Sequence, residues 1–339
     1  MERIRLGRTG LTVNRTAFGV LPLQRTETKL AVDILRRAYE GGIDFYDTAR
    51  GYSDSEEKIG LALSHVRGDI VIATKSGAAD RAGLFAHCET SLRMLRTDYI
   101  DIYQLHNPSF VPVPGGADGL YDGMLELKRQ GKIRHIGITC HRLANAVEAA
   151  NSGLYETVQF PLSYLSAQED LDLCALCARL DVGVIAMKAL CGGLITNAAA
   201  AFAFLRQYDN VAPIWGIQHA HELEEFLRLS AQPPVLDETL AAVIEADRRD
   251  LSGSFCRGCG YCQPCPAGIP IQMAARMSLL LRRAPWQQFV TQEWQAQMGR
   301  IRDCQDCGHC AAHCPYGLDT PALLRAMLAD YEQFVAEHA

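Results

Sequence analysis

The sequence predicts an α/β protein in which a (β/α)8 barrel precedes a smaller, mainly helical domain rich in cysteine. Short apolar runs alternate with helical patterns eight times between residues 15 and 229. Two adjacent prolines, Pro233 and Pro234, then interrupt the alternation. Eight cysteines follow in the last quarter of the chain, in two compact runs.

Each of the eight units joins a short strand to a longer amphipathic segment. The strand segments are RTAFG, IDFYDTA, DIVIATK, YIDIYQLH, HIGIT, TVQF, VGVIAMK and VAPIWGI, and the helical segments between them include KLAVDILRRAYEGG and SEEKIGLALSHV. Repeated strand–helix units predict parallel pairing, and eight of them can close a barrel.

Further elements are expected at both ends of this barrel. The opening IRLGRTGLTV predicts a hairpin with its turn near Arg8–Gly10, capping the bottom of the barrel. Helices are expected near 237–250 and near 320–336. We therefore expect a barrel over 1–230, a linker and helix over 231–254, and a cysteine-rich domain over 255–339.

The two cysteine runs predict iron–sulfur clusters. The second run has the spacing C-x2-C-x2-C-x3-C-P of bacterial ferredoxins, in which three thiolates hold one [4Fe–4S] cluster and the fourth reaches a second cluster. The first run has two residues, not three, before its last cysteine. The ferredoxin pattern suggests a crossed pairing, with Cys256, Cys259, Cys262 and Cys314 on one cluster and Cys304, Cys307, Cys310 and Cys265 on the other.

Two other interpretations of these cysteines are weaker. Zinc sites also use C-x2-C pairs, but they usually draw one pair from each of two separated segments. Disulfides require an oxidising compartment, and the opening residues MERIRLG lack the apolar stretch of a secretion signal. We expect a ferredoxin-like domain with two [4Fe–4S] clusters and a cytoplasmic location.

Composition excludes several classes of partner. The 339 residues carry a net charge of −6, with no basic stripe, which argues against nucleic acid. No uninterrupted apolar run approaches the length that spans a bilayer, so no membrane partner is expected.

Four polar residues near the carboxyl ends of successive predicted strands point to chemistry: Asp47, Tyr52, Lys75 and His106. Catalytic groups gather at this end of (β/α)8 barrels. A tyrosine is a poor acid or base at neutral pH, and a nearby ammonium favours its phenolate form. Asp47 would hold that ammonium, and His106 could donate a hydrogen bond to a substrate oxygen. The alternative is a structural ion pair between Lys75 and Asp47 beside a core histidine, but four such residues together favour a site.

At these residues the chain resembles the aldo-keto reductases. The resemblance rests on DTARGYSDSEEKIG, IATKSG and LRTDYIDIYQLHNP, and it covers about residues 1–230. The cysteine-rich domain resembles that of the subgroup with a C-terminal ferredoxin-like 4Fe–4S module. The resemblance implies that Tyr52 is the general acid/base, that Lys75 lowers its pKa, that Asp47 pairs with Lys75 and that His106 orients a carbonyl. The implied cofactor is NADP or NAD, the implied substrate a small carbonyl or alcohol, and the implied cofactor-binding residues are Gly19, Thr139, Gln159, Met187, Lys188, Gly216, Gln218 and Glu225.

The chain departs from the family pattern around this cofactor site. Cys140 follows Thr139 where the family often has asparagine after serine, and Met187 stands where a tyrosine usually stacks on the nicotinamide. Glu222 replaces an arginine that often grips a 2′-phosphate, which leaves NADP and NAD both open.

Three functions follow from these observations. The leading one is a hydride-transferring oxidoreductase whose clusters carry electrons or dock a redox protein partner. The second is an electron-transfer protein that uses the barrel as a scaffold. The third is a lyase or epimerase in which a tightly held nicotinamide is recycled.

Overall fold

The computed structural model describes residues 1–251, 255–283 and 286–338, so part of the expected linker, 252–254, lies outside the described residues. These residues form two compact units. The first comprises residues 1–189 and 198–241, and the second comprises residues 190–197 together with the described residues from 242 onward.

The first unit is a closed barrel of eight parallel strands, as predicted. The strands are β3 (Ala17–Gly19), β4 (Phe45–Asp47), β5 (Val71–Ser76), β6 (Ile100–His106), β7 (Ile133–Thr139), β8 (Thr157–Pro161), β9 (Gly183–Met187) and β10 (Val211–Gly216). They pair in chain order, and β10 closes the barrel on β3. Helices follow these strands as α1 (Thr28–Glu40), α2 (Ser55–Leu63), α3 (Arg81–Leu95), α4 (Leu120–Arg129), α5 (Leu143–Asn151), α6 (Gln168–Arg179), α7 (Ala198–Leu205) and α8 (Ala220–Ala231).

The predicted hairpin lies at the amino-terminal ends of the barrel strands. Its strands β1 (Arg3–Arg5) and β2 (Thr12–Asn14) pair antiparallel, and Gly7 in the loop bridges to Val182 just before β9. Ile4, Leu6 and Val13 belong to the same buried cluster as Phe45, Ile102 and Ile185 of the barrel interior. The hairpin therefore closes the bottom of the barrel with apolar side chains, and the carboxyl ends of the strands remain for chemistry.

The second unit is mainly helical. After α9 (Glu238–Asp250), which begins in the first unit, it contains α10 (Ile271–Ala274), α11 (Met277–Arg283), α12 (Gln292–Gly299), α13 (His309–Ala312) and α14 (Thr320–Glu337). Asp319 caps α14, and its carboxylate accepts a hydrogen bond from the Ala322 N–H. Among the described residues, no helix combines the length and apolar character that crossing a membrane requires.

Candidate active site and cysteine cavities

Barrel register brings the predicted catalytic residues to one end of the strands. Gly19 pairs with Asp47, Lys75 pairs with Gln104, and His106 pairs with Thr139. Because all eight strands run parallel, these carboxyl ends share one rim. The structure therefore brings these polar residues to a common edge of the barrel.

Lys75 and Asp47 form an ion pair inside this rim. The Lys75 Nζ atom donates to Asp47 Oδ1 and to the Thr48 carbonyl oxygen, each at 2.6 Å. Both side chains are almost completely buried. Burial lowers the pKa of the Lys75 ammonium, and the Asp47 carboxylate opposes that effect. The carboxylate thus holds the lysine cation in one position.

Two glutamine amides complete the surroundings of Asp47. Gln104 Nε2 donates to Gln159 Oε1 at 2.8 Å and to Asp47 Oδ2 at 3.4 Å, and Gln159 Nε2 donates to Asp47 Oδ1 at 3.3 Å. Gln104 was not among the predicted site residues. Its signal is a polar residue two positions before His106 in β6, which places both on the same strand face.

Gly137 provides the space that Gln104 occupies. A Cβ atom on Gly137 would lie 2.9 Å from Gln104 Cγ and would also collide with Thr157 Oγ1. Because Gly137 pairs with Gln104 across β6 and β7, a larger residue there would displace the amide that contacts Asp47.

Tyr52 lies between Lys75 and His106 at the barrel mouth. The Lys75 Nζ atom is 5.2 Å from the centroid of the Tyr52 ring, and the Tyr52 and His106 rings meet edge to face with centroids 5.7 Å apart. Tyr52 is half-buried in the loop before α2, where its N–H donates to the Ala49 carbonyl oxygen. Burial, reinforced by the Lys75 charge, lowers the pKa of His106 to about 3. The imidazole is therefore neutral at neutral pH and carries one N–H donor.

The second unit contains two cavities, each lined by four cysteines. One, here the Cys256 cavity, is lined by Cys256, Cys259, Cys262 and Cys314. The other, the Cys304 cavity, is lined by Cys304, Cys307, Cys310 and Cys265. Each cavity takes three cysteines from one run and the last cysteine of the other, which is the grouping expected from the ferredoxin spacing.

The donor set of these cavities fits iron–sulfur clusters. Four thiols facing one cavity supply the ligands that a [4Fe–4S] cluster requires. Burial raises the pKa of the Cys256 thiol, whereas the Gly258 N–H, 3.4 Å from its sulfur, and the Arg276 guanidinium act in the opposite direction. The hydrogen bond from Gly258 and the charge of Arg276 both favour the thiolate form that binds metal.

Comparison with known proteins identifies both parts of the chain. Residues 16–201 match the aldo/keto reductase family, which is more than half of the chain, and residues 255–319 match the 4Fe-4S dicluster domain. The chain belongs to the aldo/keto reductase family. The prediction of an aldo-keto reductase barrel with a C-terminal 4Fe–4S domain is thus confirmed.

Curated aldo/keto reductases resemble the barrel part of the chain. Aldo-keto reductase YhdN of Bacillus subtilis is 28% identical over 217 residues, which cover 58% of this chain and 64% of the relative. L-galactose dehydrogenase of Arabidopsis thaliana is 31% identical over 57% of this chain and 66% of its own length. The NADH-specific methylglyoxal reductase of Escherichia coli is 29% identical over 58% of this chain and 70% of its own length. The matches therefore leave about a third of each relative uncovered.

Solved structures establish the same fold. The holo form of an aldo-keto reductase from Bacillus halodurans matches with a TM-score of 0.65 at 23% identity, covering 73% of this chain and 96% of that one. An aldo-keto reductase from Klebsiella pneumoniae in complex with NADPH matches with a TM-score of 0.63 at 22% identity, covering 72% and 94%.

Within this aldo/keto reductase barrel, two of the side chains expected to bind the cofactor, Thr139 and Gln159, already form hydrogen bonds within the protein. Thr139 Oγ1 accepts from the Asn107 N–H at 2.8 Å and donates to the Leu105 carbonyl oxygen at 3.4 Å. Gln159 binds Asp47 and Gln104, as described above. Cys140 is buried, and burial raises the pKa of its thiol to about 12.

The other expected cofactor residues are spread around the rim. Gly19, Met187 and Gly216 end strands β3, β9 and β10, and Lys188 follows Met187 with a left-handed φ of 58°. Gln218 accepts from Arg25 at 3.2 Å, and its N–H donates to Glu222 at 2.7 Å. Glu225 is exposed on α8. Glu222 also accepts from the His219 N–H at 2.9 Å, so a carboxylate already caps the start of this helix.

Proposed function

We propose that the chain is an NAD(P)(H)-dependent oxidoreductase acting on a small carbonyl or alcohol, and that it also holds two [4Fe–4S] clusters. The observation that carries the proposal is the position of Tyr52, with the Lys75 cation 5.2 Å from its ring and the His106 ring at its edge. A general acid/base needs its charge balanced and its substrate oriented, and these two neighbours supply both.

In the direction of carbonyl reduction, Tyr52 donates its phenolic proton to the substrate oxygen. Lys75 stabilises the phenolate that remains, because an adjacent cation favours the charged form of tyrosine. Asp47 and the Thr48 carbonyl oxygen keep the Lys75 Nζ atom in place during this change. In the direction of alcohol oxidation, the same phenolate accepts the proton.

The neutral His106 imidazole orients the substrate. Since the pKa of His106 is about 3, the ring donates a hydrogen bond from its one N–H and does not act as a cationic acid. A bound nicotinamide would supply the two-electron hydride chemistry, held at the rim by Gly19, Met187, Lys188 and Gly216. The chain's own residues therefore handle the proton and the orientation of the substrate.

The clusters would be held by the crossed sets that line the two cavities. Each cluster carries one electron, whereas a hydride carries two, so direct exchange with the barrel chemistry would need a converter between them. We therefore propose that the clusters exchange electrons with a redox protein partner. The engaged state of Thr139 and Gln159 supports keeping a second candidate, an electron-transfer protein that uses the barrel only as a scaffold.

One experiment separates these candidates. The protein is purified anaerobically with its clusters intact and titrated with NADH and with NADPH, while nicotinamide fluorescence and cluster absorbance are followed. Saturable binding of either nucleotide is expected, without bleaching of the cluster absorbance. If neither nucleotide binds to a cluster-loaded protein, the reductase proposal is wrong and the scaffold candidate stands.

A further inference from the structure

The two cysteine cavities differ in the charges around them. Among the described residues, each cavity is lined by a single side chain of the Lys, Arg, Asp or Glu type. This side chain is Arg257 in the Cys256 cavity and Asp306 in the Cys304 cavity. Each cavity also has a single histidine, His313 in the first and His309 in the second. The two histidines balance one another, so the difference in charge comes from the arginine and the aspartate.

A second guanidinium lies behind the wall of the Cys256 cavity. Arg276 is 7% exposed, and its Nη1 atom donates to the Cys191 carbonyl oxygen at 3.3 Å. A Cβ atom on Gly258 would lie 3.1 Å from that same Nη1 atom, so the guanidinium packs directly on the backbone of Gly258. The Gly258 N–H in turn reaches the Cys256 sulfur at 3.4 Å. The buried Arg276 guanidinium thus contacts the residue whose N–H binds the sulfur of the proposed cluster ligand Cys256.

The charge beside the Cys304 cavity has the opposite sign. Asp306 Oδ1 lies 4.0 Å from the Cys304 sulfur. Asp306 is exposed and also pairs with the exposed Arg325. Water and this ion pair screen the carboxylate, whereas Arg276 is shielded from water.

Charge of this kind sets the potential at which a cluster accepts an electron. Reduction adds one negative charge, which a nearby cation stabilises and a nearby carboxylate opposes. Burial of the Cys256 cavity acts against reduction, because it disfavours added charge. The same burial strengthens the field of Arg276, since the interaction is weakly screened there.

We propose that Arg276, helped by Arg257, gives the cluster of the Cys256 cavity the higher reduction potential, so that the first electron from a one-electron donor is held there. The cluster of the Cys304 cavity is then reduced second. This inference rests on the proposed function only in requiring both clusters to be present. It does not require nicotinamide binding or turnover.

The test is a potentiometric titration of the anaerobic, full-length protein with dithionite, followed by low-temperature EPR. Wild type is expected to show two one-electron steps. Arg276→Gln should lower the midpoint potential of the upper step only. The ratio of reduced to oxidised cluster at a fixed potential should change about tenfold, which corresponds to a shift of about 59 mV for one electron. Arg276→Lys keeps the positive charge, so the midpoint potential of its upper step should lie close to that of wild type. Asp306→Asn should raise only the lower step.

Arg282→Gln is the matched control. Arg282 lies in the same unit and pairs with Asp330 on the surface, outside the lining of both cavities, so neither step should move. The iron content of each variant is measured in parallel. A loaded Arg276→Gln protein with an unmoved upper step overturns the inference, as does a shift of the same step by Arg276→Gln and Asp306→Asn. Failure of wild type to load iron overturns it together with the cluster proposal, whereas a failure to bind nicotinamide affects the barrel proposal alone.

Discussion

Lys75 Nζ lies 2.6 Å from Asp47 Oδ1, and both side chains are almost fully removed from water. A buried pair of this kind contributes little net stability, because the cost of desolvating two charges offsets their attraction. The ion pair serves instead to position the Lys75 cation. The pair fixes a cation at one distance from the Tyr52 ring, which an exposed lysine could not do.

Removing only the cation of this pair should destabilise the barrel. Lys75→Met leaves the Asp47 carboxylate buried without its partner, and a loss of about 3–5 kcal/mol in the free energy of unfolding is expected. The double variant Lys75→Met with Asp47→Asn should be more stable than Lys75→Met alone, since no charge remains buried. Denaturant unfolding measures both. Equal stability of the single and double variants would contradict the buried ion pair.

Tyr52→Phe should strongly slow carbonyl reduction. The phenolic proton is lost while the ring still packs against His106, so a drop of about 10²–10⁴-fold in kcat is expected with unchanged iron content and cluster absorbance. Tyr39→Phe is the control, because Tyr39 lies on α1 and its hydroxyl contacts Asp69. An unchanged kcat in Tyr52→Phe would remove this tyrosine from the mechanism.

His106 should contribute no ionisation to the activity profile between pH 5 and 8. Its pKa is lowered to about 3, so the ring stays neutral across this range. The profile of kcat/KM against pH is the measurement, compared between wild type and His106→Gln. An acid limb near pH 6.5 that disappears in His106→Gln would show that the imidazole titrates normally.

The lowered pKa of His106 also makes the free energy of unfolding depend on pH. Between the ordinary pKa of 6.5 and the lowered value near 3, the unfolded chain binds a proton on His106 that the folded chain does not. Stability therefore falls as the pH drops from about 6.5 toward 3, and His106 contributes no slope above that range.

Gly137→Ala should destabilise the barrel by about 1–3 kcal/mol, because the new methyl group overpacks the interior against Gln104 and Thr157. Gly77→Ala is the matched control, since its Cβ would meet nothing within 4 Å. Thermal unfolding of the two variants checks this. A neutral Gly137→Ala would mean that the Gln104 side chain can move away from Asp47 without cost.

The crossed cysteine sets can be tested by counting iron. If Cys256 and Cys314 bind one cluster, the double variant Cys256→Ala/Cys314→Ala should lose about four irons per chain, as each single variant does. The variant Cys256→Ala/Cys265→Ala should lose about eight, because it affects both clusters. A loss of about eight irons in Cys256→Ala/Cys314→Ala and of about four in Cys256→Ala/Cys265→Ala would instead assign each cluster to the cysteines of a single run.

Sequence reasoning reached the barrel and the rim because both follow from periodic patterns. Alternation of apolar strands with amphipathic helices determines which strands neighbour one another, and parallel strands place Asp47, Lys75 and His106 at one edge. It did not find Gln104, since the polar character of a buried strand residue does not show which side chain it contacts. Nor does the apolar pattern of PIQMAARMSLLLRR, residues 270–283, indicate the break between α10 and α11, where Arg276 lies.

The interleaved cysteine sets have a consequence for the maturation of the protein. Each cavity is lined by cysteines from both runs, which lie far apart in the same stretch of chain. Neither cavity is complete until the ribosome has passed Cys310, and loss of a whole run would remove ligands from both cavities. In the wild-type chain, neither cluster can therefore be fully ligated before most of the second run has been synthesised.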